Sequence, residues 1–188
     1  MIRTSRRHFL CTVAPLALAP STALAALNAC SGGAAMSNDA EGTLQNGQVL
    51  VRKLDKPDEE WKQVLGDAEY DVLFNDSTER AGSSPLNAEK RAGTFVCAAC
   101  YLPLFESTAK FESGTGWPSF TQSIAGRVDT KRDFKLIWPR TEYHCARCGG
   151  HQGHIFDDGP QPTGKRYCNN GVALNFVPAG EKLPELRG

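Results

Sequence analysis

The stretches "CAAC" at residues 97–100 and "CARC" at residues 145–148 are two CxxC pairs, separated in the chain by residues 101–144. The short spacing within each pair lets both thiolates point at one ion, and four thiolates in a tetrahedron form a closed structural zinc site. Such an ion would clamp two distant segments together and stabilise a small domain whose own core is modest. The predicted ligands of one structural zinc ion are Cys97, Cys100, Cys145 and Cys148.

Two other interpretations of these cysteines stay open. An exported protein can hold them as disulfides, and a CxxC pair can act as a thioredoxin-type redox pair. A protein that folds before export can acquire its metal in the cytoplasm, which favours zinc. Ligation by His151 and His154 would leave Cys97 and Cys100 without a role, and neither pair is followed directly by the histidine that covalent haem attachment requires.

Short segments rich in β-branched and aromatic residues surround the cysteine pairs. They read "GTFVC" at 93–97, "FKLIW" at 134–138 and "VALNF" at 172–176. In the last of them, Val172, Leu174 and Phe176 alternate onto one side, as in a half-buried strand. A long loop is expected over residues 77–93, which are rich in Gly, Pro and Ser. These patterns predict one mainly β domain.

A helix is expected on the N-terminal side of this domain. Pro57 suits a first helical position, and Gly66 is placed to end the helix. Between them, Trp61, Val64 and Leu65 have the spacing of one helix face, which we expect to be buried.

Residues 1–30 have the pattern of an export signal, with a basic start, an apolar Ala and Leu stretch and no acidic residue. Within them, "TSRRHFLC" at residues 4–11 is similar to a twin-arginine signal. A transmembrane anchor is the alternative, but prolines and small residues make the stretch weakly apolar. We expect an exported, periplasmic protein, cleaved after "ALA" at residues 23–25 or anchored as a lipoprotein through Cys30.

Behind the signal, the expected organisation is a flexible tether over residues 31–54, a domain over 55–180 and a C-terminal tail over 181–188. The chain without its signal has 18 Lys and Arg against 21 Asp and Glu, a formal charge of −3. This balance makes a poor nucleic-acid surface, so no nucleic-acid partner is expected.

The seventh cysteine, Cys168, lies in "GKRYCNNG" at residues 164–171, outside both CxxC pairs. The charges of the preceding Lys165 and Arg166 would favour its thiolate, which is the reactive form of cysteine. A buried, inert thiol is the alternative.

Two further stretches offer groups that a reactive cysteine needs. In "GGHQGHIFDDGP" at residues 149–160, His151 and His154 can donate and accept protons near neutral pH, unless they are simply packed in the core. In "GTGWPSF" at residues 114–120, the glycines allow a bend that exposes Trp117 as an apolar wall, although a core Trp has the same signature.

Taken together, these motifs resemble the B-type methionine-R-sulfoxide reductase family from about Glu60 to Val177, in the family's order. The matching letters are "EEWKQVL", "EYDVL", "TER", the first CxxC, "LPLFES", "GWPSF", "RTE", the second CxxC with "GGHQGHIFDDGP", and "RYCNN". The resemblance implies two antiparallel β-sheets with few helices, a structural zinc on the four cysteines, and Cys168 as nucleophile. It also implies a substrate pocket built from Trp117, which contacts the S-methyl group, and from His151, His154, Phe156 and Asn170.

The implied substrate is oxidised methionine in proteins, and the chemistry suits the residues present. A sulfoxide sulfur needs a soft nucleophile, a proton source and an apolar surface for its methyl group. Attack by Cys168 would release methionine and leave a sulfenic acid. Many members of the family carry a resolving cysteine where this chain has Thr115, so we expect a thioredoxin-like protein or a small thiol to reduce the enzyme.

We expect the enzyme to act as a monomer. The competing hypotheses are a zinc-stabilised binding module with an inert Cys168, and a thiol-disulfide oxidoreductase that uses one CxxC pair.

Overall fold

A computed structural model describes residues 41–43, 49–134 and 139–188 of this 188-residue chain. The predicted export signal and most of the predicted tether lie outside the described residues, as does most of the predicted strand at 134–138.

The described residues form two main antiparallel sheets and few helices, which confirms the predicted mainly β class. The larger sheet has the strand order β5-β6-β10-β9-β8-β7. Its strands are β5 (Lys110–Phe111), β6 (Ser119–Phe120), β7 (Val128–Asp133), β8 (Arg140–Cys145), β9 (His151–Phe156) and β10 (Arg166–Asn169). The smaller sheet has the order β11-β3-β4, with β3 at Gly93–Cys97, β4 at Pro103–Glu106 and β11 at Leu174–Pro178.

The core lies where aromatic side chains of the two sheets meet. Phe95 and Phe105 of the smaller sheet and Phe120 and Tyr143 of the larger one are fully buried. The ring centroids of Phe105 and Phe120 lie 4.2 Å apart in a stacked arrangement, and Tyr143 meets Phe105 edge-on at 6.1 Å. Such contacts add to the free energy gained by burying the rings.

The expected N-terminal helix is two short helices, α1 (Asp58–Lys62) and α2 (Asp67–Phe74). Gly66 precedes α2: its amide donates to the Glu69 carboxylate at 3.0 Å, and its carbonyl accepts from Tyr70. The prediction that Gly66 ends the helix is therefore wrong, because this glycine caps the start of the second helix. Trp61 is buried as predicted, but Val64 is 46% exposed, because the chain leaves the helix after Lys62 and turns this side chain to the surface.

One predicted strand and the predicted loop before it are confirmed. β3 matches the predicted strand at 93–97, and the loop at 77–93 is irregular except for a 3-10 turn at Pro85–Ala88. β11 begins only at Leu174, because residues 171–173 form a 3-10 turn; Val172 and Phe176 still pack against the core. Phe134 follows the end of β7 and is 71% exposed.

Segments on both sides of the domain, near Leu54 and near Arg187, hydrogen-bond to the cysteine turns. The predicted tether contains two short paired strands, β1 (Glu41–Thr43) and β2 (Val49–Val51), and the Leu54 amide donates to the Arg147 carbonyl at 2.7 Å. From the C-terminal tail, the Arg187 amide donates to the Cys100 carbonyl at 3.1 Å. Among the described residues, no helix is long and apolar enough to cross a membrane.

Candidate active site and metal centre

The two CxxC pairs occupy equivalent turns, one between β3 and β4 and the other between β8 and β9. In the first turn the Tyr101 amide donates to the Cys97 carbonyl, and in the second the Gly149 amide donates to the Cys145 carbonyl, both at 2.9 Å. Tyr101 and Gly149 share a left-handed backbone, with φ of 62° and 74°. This conformation is unusual for tyrosine, and the guanidinium of Arg187 covers the Tyr101 ring 4.2 Å from its centroid.

The turns bring four sulfur atoms into one cluster, all within 4.8 Å of one another. The Sγ atoms of Cys97 and Cys148 lie 3.7 Å apart, and those of Cys100 and Cys145 lie 3.5 Å apart. Disulfide sulfurs are bonded at about 2.05 Å, so these cysteines are free thiols. The structure thus argues against the disulfide interpretation.

The donor set and its spacing fit a zinc site. Zinc–sulfur bonds of about 2.3 Å in a tetrahedron place neighbouring sulfurs about 3.8 Å apart, close to the observed separations. Hydrogen bonds that the Cys97 and Cys148 thiols make to neighbouring cysteine sulfurs, together with burial, raise the pKa of both thiols well above its ordinary value. A divalent cation in place of the shared protons would offset the free-energy cost of holding buried thiolates close together. The Gln152 amide also donates to the Cys97 sulfur at 3.6 Å.

Cys168 lies on β10 with a neighbour directly opposite on each side. His154 of β9 faces it on one side and Ser119 of β6 on the other, so the three side chains share one face of the sheet. That face opens into a pocket of about 130 Å³. The lining residues are Thr78, Trp117, Arg140, Gly153, His154, Phe156, Cys168, Asn169 and Asn170.

Trp117 and Phe156 form the apolar part of the pocket. Gly114 and Gly116 have φ of 73° and 90°, and this left-handed bend turns Trp117 toward the pocket, as the glycine spacing predicted. The Trp117 indole donates to the Glu79 carbonyl at 3.2 Å, which fixes the ring. The two aromatic side chains leave room for a small apolar group beside the cysteine.

His154 is held by a buried carboxylate. Its Nε2 lies 2.8 Å from Asp133 Oδ2, which also accepts from the Arg140 guanidinium at 2.6 Å. Because a carboxylate paired with arginine only accepts, Nε2 carries the proton and Nδ1 of the neutral ring is an acceptor. Burial lowers the pKa of His154 below its ordinary value despite the opposing hydrogen bond to Asp133, so the ring is neutral near pH 7.

His151 lies behind His154 and not in the pocket wall, where the sequence interpretation placed it. Its ring is buried, its Nδ1 lies 2.9 Å from Glu142 Oε1, and its centroid is 5.5 Å from that of His154. Lys131 pairs with the same Glu142 oxygen at 3.0 Å. Neither histidine is part of the four-cysteine cluster, and both are hydrogen-bonded to carboxylates instead.

Glu79 connects two predicted pocket residues and was missed by the sequence interpretation. Its amide donates to Asn170 Oδ1 at 3.1 Å, its carbonyl accepts from Trp117, and its carboxylate accepts from the amides of Gly171 and Val172. Two of the four contacts use the main chain of Glu79 and the other two use the main chain of its partners, which residue type does not reveal. The only sequence signal was the matching "TER" motif at residues 78–80.

The two basic residues before Cys168 act differently from each other. Lys165 pairs with Asp157 and is exposed, whereas Arg166 pairs with Asp158 and is buried. Burial raises the pKa of the Cys168 thiol, while the charge of Arg166 and a hydrogen bond from Thr115 act to lower it. Arg166 is therefore the basic residue with a marked influence on the thiolate, Lys165 is not among the main influences, and burial outweighs Arg166.

A single cysteine in a small pocket, with a neutral histidine and an aromatic wall beside it, defines a thiol-dependent enzyme of mainly β fold. Residues 65–178 match the family model described as the SelR domain. The chain therefore belongs to the SelR-domain family, that of the MsrB peptide methionine sulfoxide reductases, which confirms the predicted resemblance.

Curated relatives are similar over most of their length. The chain is 52% identical over 129 residues to "Peptide methionine sulfoxide reductase MsrB" of Methanosarcina barkeri, covering 68% of this chain and 91% of the relative. It is 50% identical over 127 residues to the protein of that name from Bradyrhizobium diazoefficiens, covering 67% and 91%. It is 48% identical over 118 residues to "Peptide methionine sulfoxide reductase B1, chloroplastic" of Arabidopsis thaliana, covering 62% and 58%.

The contrast between the two basic residues can be tested by alkylation of Cys168. Arg166→Gln removes the charge that favours the thiolate, so the rate of iodoacetamide alkylation at about pH 8 should fall several-fold. Lys165→Gln is the matched control and should leave the rate unchanged. Peptide mass analysis identifies the alkylated residue. Equal effects of the two substitutions would contradict the assignment.

Proposed function

We propose that this enzyme reduces methionine-R-sulfoxide in proteins by attack of the Cys168 sulfur on the sulfoxide sulfur. As a member of its family the chain is an oxidoreductase, a peptide-methionine (R)-S-oxide reductase. The observation that carries the mechanism is the placement of Cys168 directly opposite His154, in a pocket that Trp117 also lines. We also propose that the enzyme acts as a monomer.

The first step needs a proton to be moved from the nucleophile to the departing oxygen. Nδ1 of neutral His154 can accept the Cys168 proton, and the resulting imidazolium is balanced by Asp133. The imidazolium can then protonate the sulfoxide oxygen. Attack of the thiolate forms a bond between the Cys168 sulfur and the substrate sulfur. As the protonated oxygen passes to the Cys168 sulfur, the substrate S–O bond and the new S–S bond break and the substrate sulfur gains two electrons, so methionine leaves and Cys168 becomes a sulfenic acid.

The pocket positions the substrate through its apolar and polar sides. Trp117 and Phe156 give the S-methyl group an apolar surface, and Arg140 and Asn170 lie on the same pocket as hydrogen-bond donors for the oxygen. The Asn170 amide itself donates to the Gln152 carbonyl at 3.0 Å, and its oxygen accepts from Glu79, so the side chain is fixed in place. A fixed polar group lowers the cost of orienting the substrate.

We propose that an external thiol, from a thioredoxin-like protein or a small molecule, reduces the sulfenic acid. The other four described cysteines lie together in the metal centre, and Thr115 lies against the Cys168 thiol. The attacking thiol forms a mixed disulfide with Cys168 and releases water. A second thiol then resolves the mixed disulfide.

The enzyme should convert only one epimer of its substrate. With a dithiol reductant, the purified chain is expected to turn over the R-epimer of a blocked methionine sulfoxide and leave the S-epimer unchanged. Cys168→Ser should lose at least about 10³-fold in turnover, since it removes the nucleophile. Circular dichroism checks that the variant is folded. Turnover of the R-epimer by Cys168→Ser would exclude Cys168 as the nucleophile.

We propose that the four-cysteine cluster holds zinc in a structural role. Metal analysis should find one zinc ion per chain, and its removal by a chelator should lower the melting temperature by at least about 10 °C. Cys100→Ser should bind less zinc and unfold earlier, whereas Cys168→Ser, the same substitution outside the cluster, should keep its zinc. A folded and active preparation without metal would refute the structural role.

We also propose that the enzyme repairs methionine outside the cytoplasm. The support is the pattern of residues 1–30, with its paired Arg6 and Arg7. Cell fractionation should place the chain outside the cytoplasm, and replacing both arginines by lysine should retain it inside. Mass analysis of the mature N-terminus separates a start at Ala26 from a lipid on Cys30. A cytoplasmic chain with residues 1–30 intact would contradict the proposal.

A further inference from the structure

Three hydroxyl groups form an unbroken hydrogen-bonded chain beside the pocket. Ser113 Oγ lies 2.8 Å from Thr115 Oγ1 and 2.7 Å from Ser119 Oγ. At the far end, the Ser119 hydroxyl lies 3.1 Å from the carbonyl oxygen of Trp117. Ser119 is fully buried, so its own two hydrogen bonds are shielded from competition by water, whereas Ser113 and Thr115 are half-buried.

This row of hydroxyls, in the spatial order Thr115–Ser113–Ser119, begins beside the thiol of Cys168. Cys168 and Ser119 are directly paired between β10 and β6, and Thr115 acts on the Cys168 thiol as a hydrogen-bond partner that lowers its pKa. The Asn169 amide donates to the Pro118 carbonyl at 2.9 Å, which ties the hydroxyl-bearing loop to the strand of the cysteine. Backbone hydrogen bonds therefore fix the position of the hydroxyl-bearing loop relative to the strand of Cys168.

The number of protons on the three hydroxyls allows the hydrogen bonds between them to point in either direction. Each hydroxyl has one proton to donate and can accept at its oxygen. When Cys168 is a thiol, it donates to Thr115, and the donations continue through Ser113 and Ser119 to the Trp117 carbonyl. When Cys168 is a thiolate, Ser119 gives up its bond to the Trp117 carbonyl and donates to Ser113, Ser113 donates to Thr115, and Thr115 donates to the sulfur.

We propose that Thr115 is a positioning residue whose hydroxyl, oriented by Ser113 and Ser119, stabilises the thiolate of Cys168. It does so when the hydrogen bonds between the three hydroxyls reverse their direction of donation. Hydrogen bonds to charged groups are stronger than those to neutral groups, so the reversed direction favours the thiolate. The inference rests on the proposed role of Cys168 as nucleophile. It gives Thr115 a role in preparing the thiol for attack, apart from the later reduction of the sulfenic acid.

Other ionisable groups line the pocket or interact electrostatically with the thiol, and they set the background for this effect. They are His154 and Arg140 of the pocket wall, Arg166 on the same strand, Asp158 in the preceding loop and Tyr143 beneath the sheet. None of them is changed by a substitution at Thr115.

The test compares Thr115→Val, which keeps the shape and loses the hydroxyl, with Thr115→Ser, which keeps the hydroxyl. The rate of iodoacetamide alkylation of Cys168 is measured in the full chain between about pH 6 and 10, by peptide mass analysis. We expect Thr115→Val to react about tenfold more slowly near neutral pH, with its profile displaced to higher pH, and Thr115→Ser to match the parent. Ser113→Ala should show a smaller displacement in the same direction.

A matched control is Thr94→Val on the smaller sheet, where the hydroxyl bonds Glu106 at 3.2 Å. It should leave the profile unchanged. An unchanged profile in Thr115→Val, or an equal displacement in Thr115→Ser, would overturn the inference, because the hydroxyl would then have no part in it. Alkylation needs no turnover, so the absence of methionine formation would count against the proposed reaction and leave this result to stand separately.

Discussion

The four-cysteine cluster is the constraint on which the rest of the domain depends. Each CxxC turn joins two strands of one sheet, so the contact between Cys97 and Cys148 ties the smaller sheet to the larger one. The second turn leads directly into β9, which carries His154 and pairs with the strand of Cys168. A metal at the cluster would therefore hold both the core and one wall of the pocket in place.

The pocket balances two opposing demands on Cys168. Enclosure gives the substrate methyl group an apolar surface, but the same burial raises the pKa of the thiol. Arg166 and the Thr115 hydroxyl act in the opposite direction, and neutral His154 offers an acceptor for the proton. In the proposed reaction, Cys168 is thus kept as a protected thiol whose deprotonation is made easier by its neighbours.

Residue type and spacing predict much of this arrangement. The CxxC pairs, the glycines before Trp117 and the alternation of β11 follow local rules of ligation, backbone freedom and strand geometry. The role of Glu79 could not be predicted, because its main-chain atoms bridge segments 38 and 91 residues away. The position of His151 depends on burial beside Glu142, and the weak effect of Lys165 depends on its pairing with Asp157. Such properties arise from tertiary packing and are absent from local sequence.

The most direct test of this account is a single turnover without reductant. The reduced enzyme is mixed with an excess of R-sulfoxide substrate, and both methionine and the state of Cys168 are measured by mass spectrometry. We expect one methionine per chain and one added oxygen atom on the Cys168 peptide, recoverable as a dimedone adduct. Methionine formed together with an intramolecular disulfide at Cys168, or no methionine from a folded, reduced chain, would contradict the account.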